Sequence, residues 1–358
     1  MKRGRAAAIQ VVDGFNLLEA IYTQFRGQFI ETLKYDSPFN LIGVNKAWHR
    51  FFSELDEKEA WDDRLKRWKL SFCIDSPTEL ERLHFHDRDR HIYMNEALHR
   101  YIIIFWKKET RSFQIIYSRN KSHPFKHKGL MSVTTHINTM LFSEFDQDVV
   151  IEKMRSSPWW HRSKYYPMTP NEIKHEWKMR GIKGTANHLN LENYFNGRPY
   201  DATTKEFALF QKSLVHLKDV LPYRSEEFVF DLPMLICGAI DMLFMPKEES
   251  ERFDKDGNRI LDIVDWKFTE KIEFENRYEK GISSLTKDVQ NCNVSHFEFQ
   301  LRYYRAILER NYKVRVRHMK IFALHCNQTE PIIVDVGCKP IDVAKLIRFR
   351  REELTLKK

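Results

Sequence analysis

The residues best placed to do chemistry lie in two short apolar runs, Cys237-Gly238-Ala239-Ile240-Asp241 and Ile260-Leu261-Asp262-Ile263-Val264-Asp265-Trp266-Lys267. Both read as strands because apolar and β-branched residues dominate them, and the polar stretch Asp254 to Asn258 between them is turn chemistry. The expected element is a β-hairpin that delivers one carboxylate from each strand. Side chains on a strand alternate faces, so Asp265 and Lys267 share a side and Trp266 takes the other. With Asp241 across from them, two carboxylates and an ammonium converge. That set can hold a hard divalent cation through oxygens and keep a fixed positive charge beside a reacting group. A lone D-x-K also arises as a strand-end salt bridge, so its weight depends on what flanks it.

Two flanking stretches add to it. Gly184 to Glu192 places His188 and Glu192 one helical turn apart on one face, with Thr185 as an expected N-cap. Phe297 to Tyr304 opens a helix on which Gln300 and Tyr304 share a face. Taken in order, Gly184 with His188, Gly238 with Asp241, Asp265 with Lys267, and Gln300 with Tyr304 resemble the G-x-x-x-H, G-x-x-D, D-x-K and Q-x-x-x-Y motifs of the RecB-like branch of the PD-(D/E)XK nuclease superfamily. The resemblance covers roughly residues 130 to 340.

It implies an α/β fold with a restriction-endonuclease-like core, a mixed central sheet flanked by helices; apolar spacing adds a mainly helical N-terminal extension before it. The expected organisation is an accessory region over 1–130, a nuclease domain over 131–345 and a basic tail over 346–358. The resemblance also implies one or two Mg²⁺ or Mn²⁺ ions held by His188, Asp241, Asp265 and the Trp266 carbonyl, with Lys267 orienting water or steadying developing charge. Glu192 orients a water or supports its helix, and either Glu226 or Glu227 joins the acidic set. Several family members carry an iron–sulfur cluster on four cysteines; Cys73, Cys237, Cys292, Cys326 and Cys338 lack that spacing, so none is expected.

The activity implied is a metal-dependent deoxyribonuclease, an exonuclease acting on DNA ends or single strands in repair or recombination. An RNA endonuclease on the same fold and a non-catalytic nucleic-acid-binding scaffold are the alternatives. Gln300 and Tyr304 are expected to position DNA. Arg302 and Arg305, with Lys313, Arg315 and Arg317 beyond, offer a basic track for its backbone. Between Trp159 and Tyr166, aromatics interleave with Arg162 and Lys164, a mixture that fits base stacking or a buried aromatic knot equally well.

Composition agrees with a polyanionic partner. Fifty-nine Lys and Arg against fifty Asp and Glu give a net charge of +9 over 358 residues. Scattered cysteines without a C-x-x-C pair point to reduced thiols in an intracellular compartment, and no apolar run is long enough to span a membrane. The basic, Ala-rich start reads as a solvated tail in preference to a presequence.

The elements that must position these groups follow from punctuation and periodicity. Residues 9–35 and 44–70 read as helical, and the N-terminal region 1–130 that contains them is expected to offer a surface for a partner protein. Tyr101–Phe105 and Phe113–Tyr117 read as strands. Glu81–His91, rich in histidine and aspartate, fits a charged surface better than a metal site. Thr169-Pro170-Asn171-Glu172 starts a helix expected to stop at Gly181, followed by a second over 186–195 ending at Asn196-Gly197. A helix over 205–220, a strand at 228–230, strands at 319–325 and 331–336, and a helix over 342–353 complete the reading.

Overall fold

The computed structural model describes residues 78–95, 100–107, 112–118, 129–337 and 340–355. The expected helices over 9–35 and 44–70 lie outside these residues. The chain divides into two units, one ending at Arg119 and one beginning at Asn120.

The first unit holds a short helix α1 (Glu79–Leu83) and an antiparallel sheet of β1 (Ile92–Asn95), β2 (Arg100–Lys107) and β3 (Ser112–Tyr117). Two of its described histidines, His86 and His91, are engaged with backbone. His86 Nδ1 accepts from Arg88 N at 3.1 Å, Asp89 Oδ2 accepts from His86 N at 2.9 Å, and His91 Nδ1 lies 2.8 Å from the Ile104 carbonyl.

The second unit is α/β, with a mixed six-stranded sheet and helices against it. Its elements in order are β4 (Met131–Ser132), α2 (Val133–His136) running into a π-helical turn (Ile137–Leu141), α3 (Gln147–Arg155), α4 (Pro170–Phe195), α5 (Lys205–Ser213), β5 (Val220–Asp231), β6 (Ile236–Pro246), β7 (Arg259–Lys267), α6 (Asn293–Asn311), β8 (Val314–Ala323), β9 (Ile332–Asp335) and α7 (Pro340–Thr355). Strand β6 pairs antiparallel with β5 along its length and with β7 through Met242–Phe244. The return through α6 makes β8 parallel to β7, as a helical crossover requires, and β9 closes the edge antiparallel.

Alternation along β7 sets the layers. Leu261 and Ile263 enter the core with Leu301, Tyr303, Ile307 and Leu308 of α6. Trp266 goes the other way, into an aromatic cluster with Phe195 of α4, Phe210 of α5 and Phe322 of β8. The hairpin expected from sequence forms, although residues 247–258 make a longer connection than a tight turn.

Three expectations are corrected. Helix α4 is one helix through Gly181 and Gly184, neither of which adopts the positive φ of a helix stop, while Gly197 does at +63°. Each interior glycine costs about 1 kcal/mol, and buried anchors at Ile173 and Leu191 override it. Thr185 is therefore mid-helix and bonds the Gly181 carbonyl instead of capping. The expected helix over 205–220 ends sooner, because β5 already begins at Val220. Residues 346–355, set apart above as a tail, belong to α7, whose Leu346 and Arg350 are buried.

Candidate metal centre

The site is built on one row across three strands. The β5–β6 register runs Ser225↔Met242 and Glu227↔Ile240, and the β6–β7 register begins at Met242↔Val264. Continuing both places Glu226, Asp241 and Asp265 side by side. Backbone pairing of β6 with β7 gives way there, and the Asp241 carboxylate replaces it by accepting from Trp266 N at 2.8 Å. The splayed strands open a cleft at a point where three acidic side chains meet.

Helix α4 closes the cleft from one side. His188 Nδ1 lies 3.5 Å from Asp241 Oδ2 and 3.8 Å from Glu226 Oε1, and its ring packs edge-on to Phe268. Helix α6 closes it from the other side. Lys267 Nζ sits 2.6 Å from Asp265 Oδ2, donates to Gln300 Oε1 at 3.3 Å and lies over the Phe297 ring. Gln300 in turn donates to Tyr304 OH at 3.3 Å. Tyr304 reaches this position because residue 238 is glycine, since a Cβ there would stand 2.7 Å from Tyr304 Cε1. The glycine of G-x-x-D and the tyrosine of Q-x-x-x-Y are thus two halves of one contact. Gly184 has no such neighbour, and nothing in the structure explains it.

Crowding the acids raises their proton affinity. Burial, then the charges of Asp241, Glu192 and Asp265, push Glu226 well above the usual carboxylate range. Burial raises Asp241, with Lys267 and the Trp266 amide opposing. Burial also pushes Asp265 up to about 7, helped by Asp241 and opposed by Lys267. For Lys267 burial acts downward, but Asp265 and Asp241 outweigh it and the pKa rises, so the ammonium stays charged. His188 is held down to about 4, by burial and then by Lys267, and is a neutral imidazole at pH 7.

This donor set fits a divalent cation. His188, Glu226 and Asp241 each offer one atom within 4.8 Å of the others. Asp265 Oδ1 is buried with no hydrogen-bond donor against it. Acidic groups this close, with one lacking a donor, require a positive charge among them or protons on them.

The structure resolves the choice left open at 226 and 227. Glu227 is buried in an ion pair with Arg224, whereas Glu226, at φ +47°, turns to Asp241. Strand alternation cannot foresee a left-handed residue, although counting the register back from Asp241 selects it. Glu192 contributes its charge to Glu226. Trp266 offers its amide to Asp241. Phe268 and Phe297, unmarked in the sequence reading, pack on His188 and Lys267.

The expected basic track is corrected. Arg305 is 5% exposed and bonds Glu309, and Arg302 pairs with Glu298. Arg315 sits beside Ile260, at the opposite end of β7 from Lys267. Between Trp159 and Tyr166 the aromatics divide into a packed pair and an exposed pair. Tyr165 and Trp160 pack around Ile151 and Ile173, whereas Trp159 and Tyr166 are exposed, with Arg162 stacked 4.6 Å over Trp159. Lys164 pairs with Glu270, three residues beyond Lys267. Among the described residues no helix is long and apolar enough to cross a membrane.

No family model and no curated protein matches this chain.

Proposed function

We propose that the chain is a metal-dependent nuclease of the PD-(D/E)XK type that hydrolyses phosphodiester bonds in DNA, acting on ends or single strands. The observation that carries this reading is the row Glu226–Asp241–Asp265 on three neighbouring strands, with neutral His188 and charged Lys267 at its margins.

Hydrolysis of a phosphodiester requires an activated water and relief of the charge that builds on phosphorus. His188, Glu226, Asp241 and Asp265 would hold Mg²⁺ or Mn²⁺, and the imidazole tilts preference towards Mn²⁺. Such an ion supplies positive charge to the phosphate and acidifies a water. Lys267, kept protonated by Asp265 and Asp241, is a poor base and a good cation, so its part is to stabilise the negative charge of the transition state. Gln300, braced by Tyr304, fixes the ammonium in place. Trp159 and Arg162 provide an exposed aromatic and a cation for unpaired bases and their phosphates.

The test is digestion of end-labelled single-stranded DNA, duplex DNA and matched RNA with Mg²⁺, Mn²⁺ or EDTA, alongside Asp265→Ala and Lys267→Ala. Laddering from one labelled end of DNA, requiring metal and lost in both variants, is expected. Preferential cutting of RNA would replace the substrate. Binding without cutting by all three proteins would refute the catalytic reading in favour of a scaffold.

A further inference from the structure

Next to Lys267 lies a second feature that the cleavage chemistry does not use, a cavity of about 280 Å³ whose lining includes Asn138, Glu273, Asn291, His296, Phe297 and Gln300. It adjoins the metal centre, because Gln300 also holds Lys267 and the Phe297 ring centroid is 4.9 Å from Lys267 Nζ. Its volume equals roughly nine waters at about 30 Å³ each, room for one heterocyclic base with part of its sugar.

The cavity is built rigidly. His296 stacks on Phe142 at 4.2 Å, and its two nitrogens lie 2.9 Å from Asn138 Oδ1 and 2.7 Å from Asn291 Oδ1. Two carbonyl oxygens on one imidazole demand either a doubly protonated ring or one amide turned end for end. Burial lowers the His296 pKa and favours the neutral ring. The Asn291 amide cannot turn, since its Nδ2 donates to Glu279 Oε2 at 3.2 Å and Ser143 Oγ at 3.1 Å. With Asn138 turned, its NH₂ goes to Nδ1 and its carbonyl oxygen to the side away from His296, and Asn138 is among the residues that line the cavity. Asn138 also belongs to the π-helical turn, a distortion frequently found at functional positions. Among the described residues, neither lysine nor arginine lines the cavity while Glu273 does, so it suits a neutral hydrogen-bond donor better than a phosphate.

We propose that this cavity is a nucleobase subsite that takes the base beside the scissile phosphate and selects bases carrying an exocyclic amine, through the Asn138 carbonyl. The subsite rests on the nuclease reading for its place on the substrate, but its ligand chemistry can be read without turnover.

The experiment is calorimetric or NMR titration of the full chain in EDTA with dCMP and with dUMP, which differ at C4, amine against carbonyl, and in the proton that uracil carries on N3, using wild type, Asn138→Ala and Asn138→Asp, each checked for folding by circular dichroism. Wild type should bind dCMP about tenfold more tightly, the effect of roughly one hydrogen bond. Asn138→Ala should remove the difference, and Asn138→Asp should retain it, because His296 takes up a proton on Nδ1 to meet one carboxylate oxygen and the other remains as the acceptor. Equal binding of both nucleotides by wild type, no binding of either at millimolar concentration, or discrimination surviving in Asn138→Ala would each overturn the proposal. Base discrimination in a protein that cuts nothing would refute the nuclease reading alone, and cutting without discrimination would refute the subsite alone.

Discussion

Glu226 is where the fold and the chemistry pull in opposite directions, and replacing it by glycine separates them. A non-glycine residue at φ +47° inside a strand pays about 1–2 kcal/mol in steric conflict. Its carboxylate is also pushed against Asp241, Glu192 and Asp265, which raises its pKa and destabilises the ionised form. Glycine removes both costs and gives back roughly 0.5–1 kcal/mol through greater freedom of the unfolded chain. The net expectation for Glu226→Gly in EDTA at pH 8 is a gain of about 1–2 kcal/mol, or roughly 2–8 °C in Tm at about 2–4 °C per kcal/mol for a unit of this size. Glu226→Ala provides the control. It relieves the charge and keeps the left-handed strain, so it should be about 1 kcal/mol less stable than the glycine variant, the reverse of their usual order in regular structure. At pH 5 the electrostatic part of the gain should shrink as the carboxyls take up protons, while the Gly–Ala difference persists. Added Mn²⁺ should stabilise wild type more than either variant. Urea unfolding at both pH values reads all of this. A glycine variant less stable than both wild type and alanine at pH 8 would refute the argument.

Three further outcomes follow from the same contacts. Gly238→Ala should displace the Tyr304 ring, costing about 1–3 kcal/mol in urea unfolding, and should lower cleavage by loosening Gln300 behind Lys267. In the buried network that fastens α7, Tyr303 OH donates to His136 Nδ1 and His136 Nε2 donates to Glu353, which also pairs with Arg350. Burial keeps His136 below its unfolded 6.5; Glu353, despite the upward push of burial, is held below its unfolded 4.5 by its bonds to His136 and Arg350. In both cases the unfolded chain takes up the proton first, so their stabilisation is complete above about pH 6.5 and is lost in two stages on acidification. Acidification from pH 7 to pH 4 should therefore weaken this network, against the relief that protonation brings to the crowded carboxyls of the metal centre, and Glu353→Gln should remove the network's part of the Tm change near pH 4.5.

Much of the site was legible because strand alternation is local. Asp265 and Lys267 share a side and Trp266 faces away, as period two requires, and the register of β6 with β7 sets Asp241 opposite. The capping box at Thr169 and Glu172 also forms as its spacing dictates. What the sequence hid depends on contacts distant in the chain. The closeness of Gly238 to Tyr304 appears only when α6 lies across β6. Glu226 enters the site through a backbone conformation that no periodicity encodes. Arg305 reads as a surface cation until α6 turns it inward to Glu309, and α4 passes two glycines because anchors at its two ends outweigh their propensity.

The central claim is that His188, Glu226, Asp241 and Asp265 form one cation site. Mn²⁺ titration of wild type beside Asp241→Ala, followed by calorimetry at pH 8, tests it most directly. Wild type should bind one or two ions saturably, with release of protons from the crowded carboxyls, and the variant should lose at least tenfold in affinity. Equal Mn²⁺ binding by both proteins, or none by wild type, would contradict it.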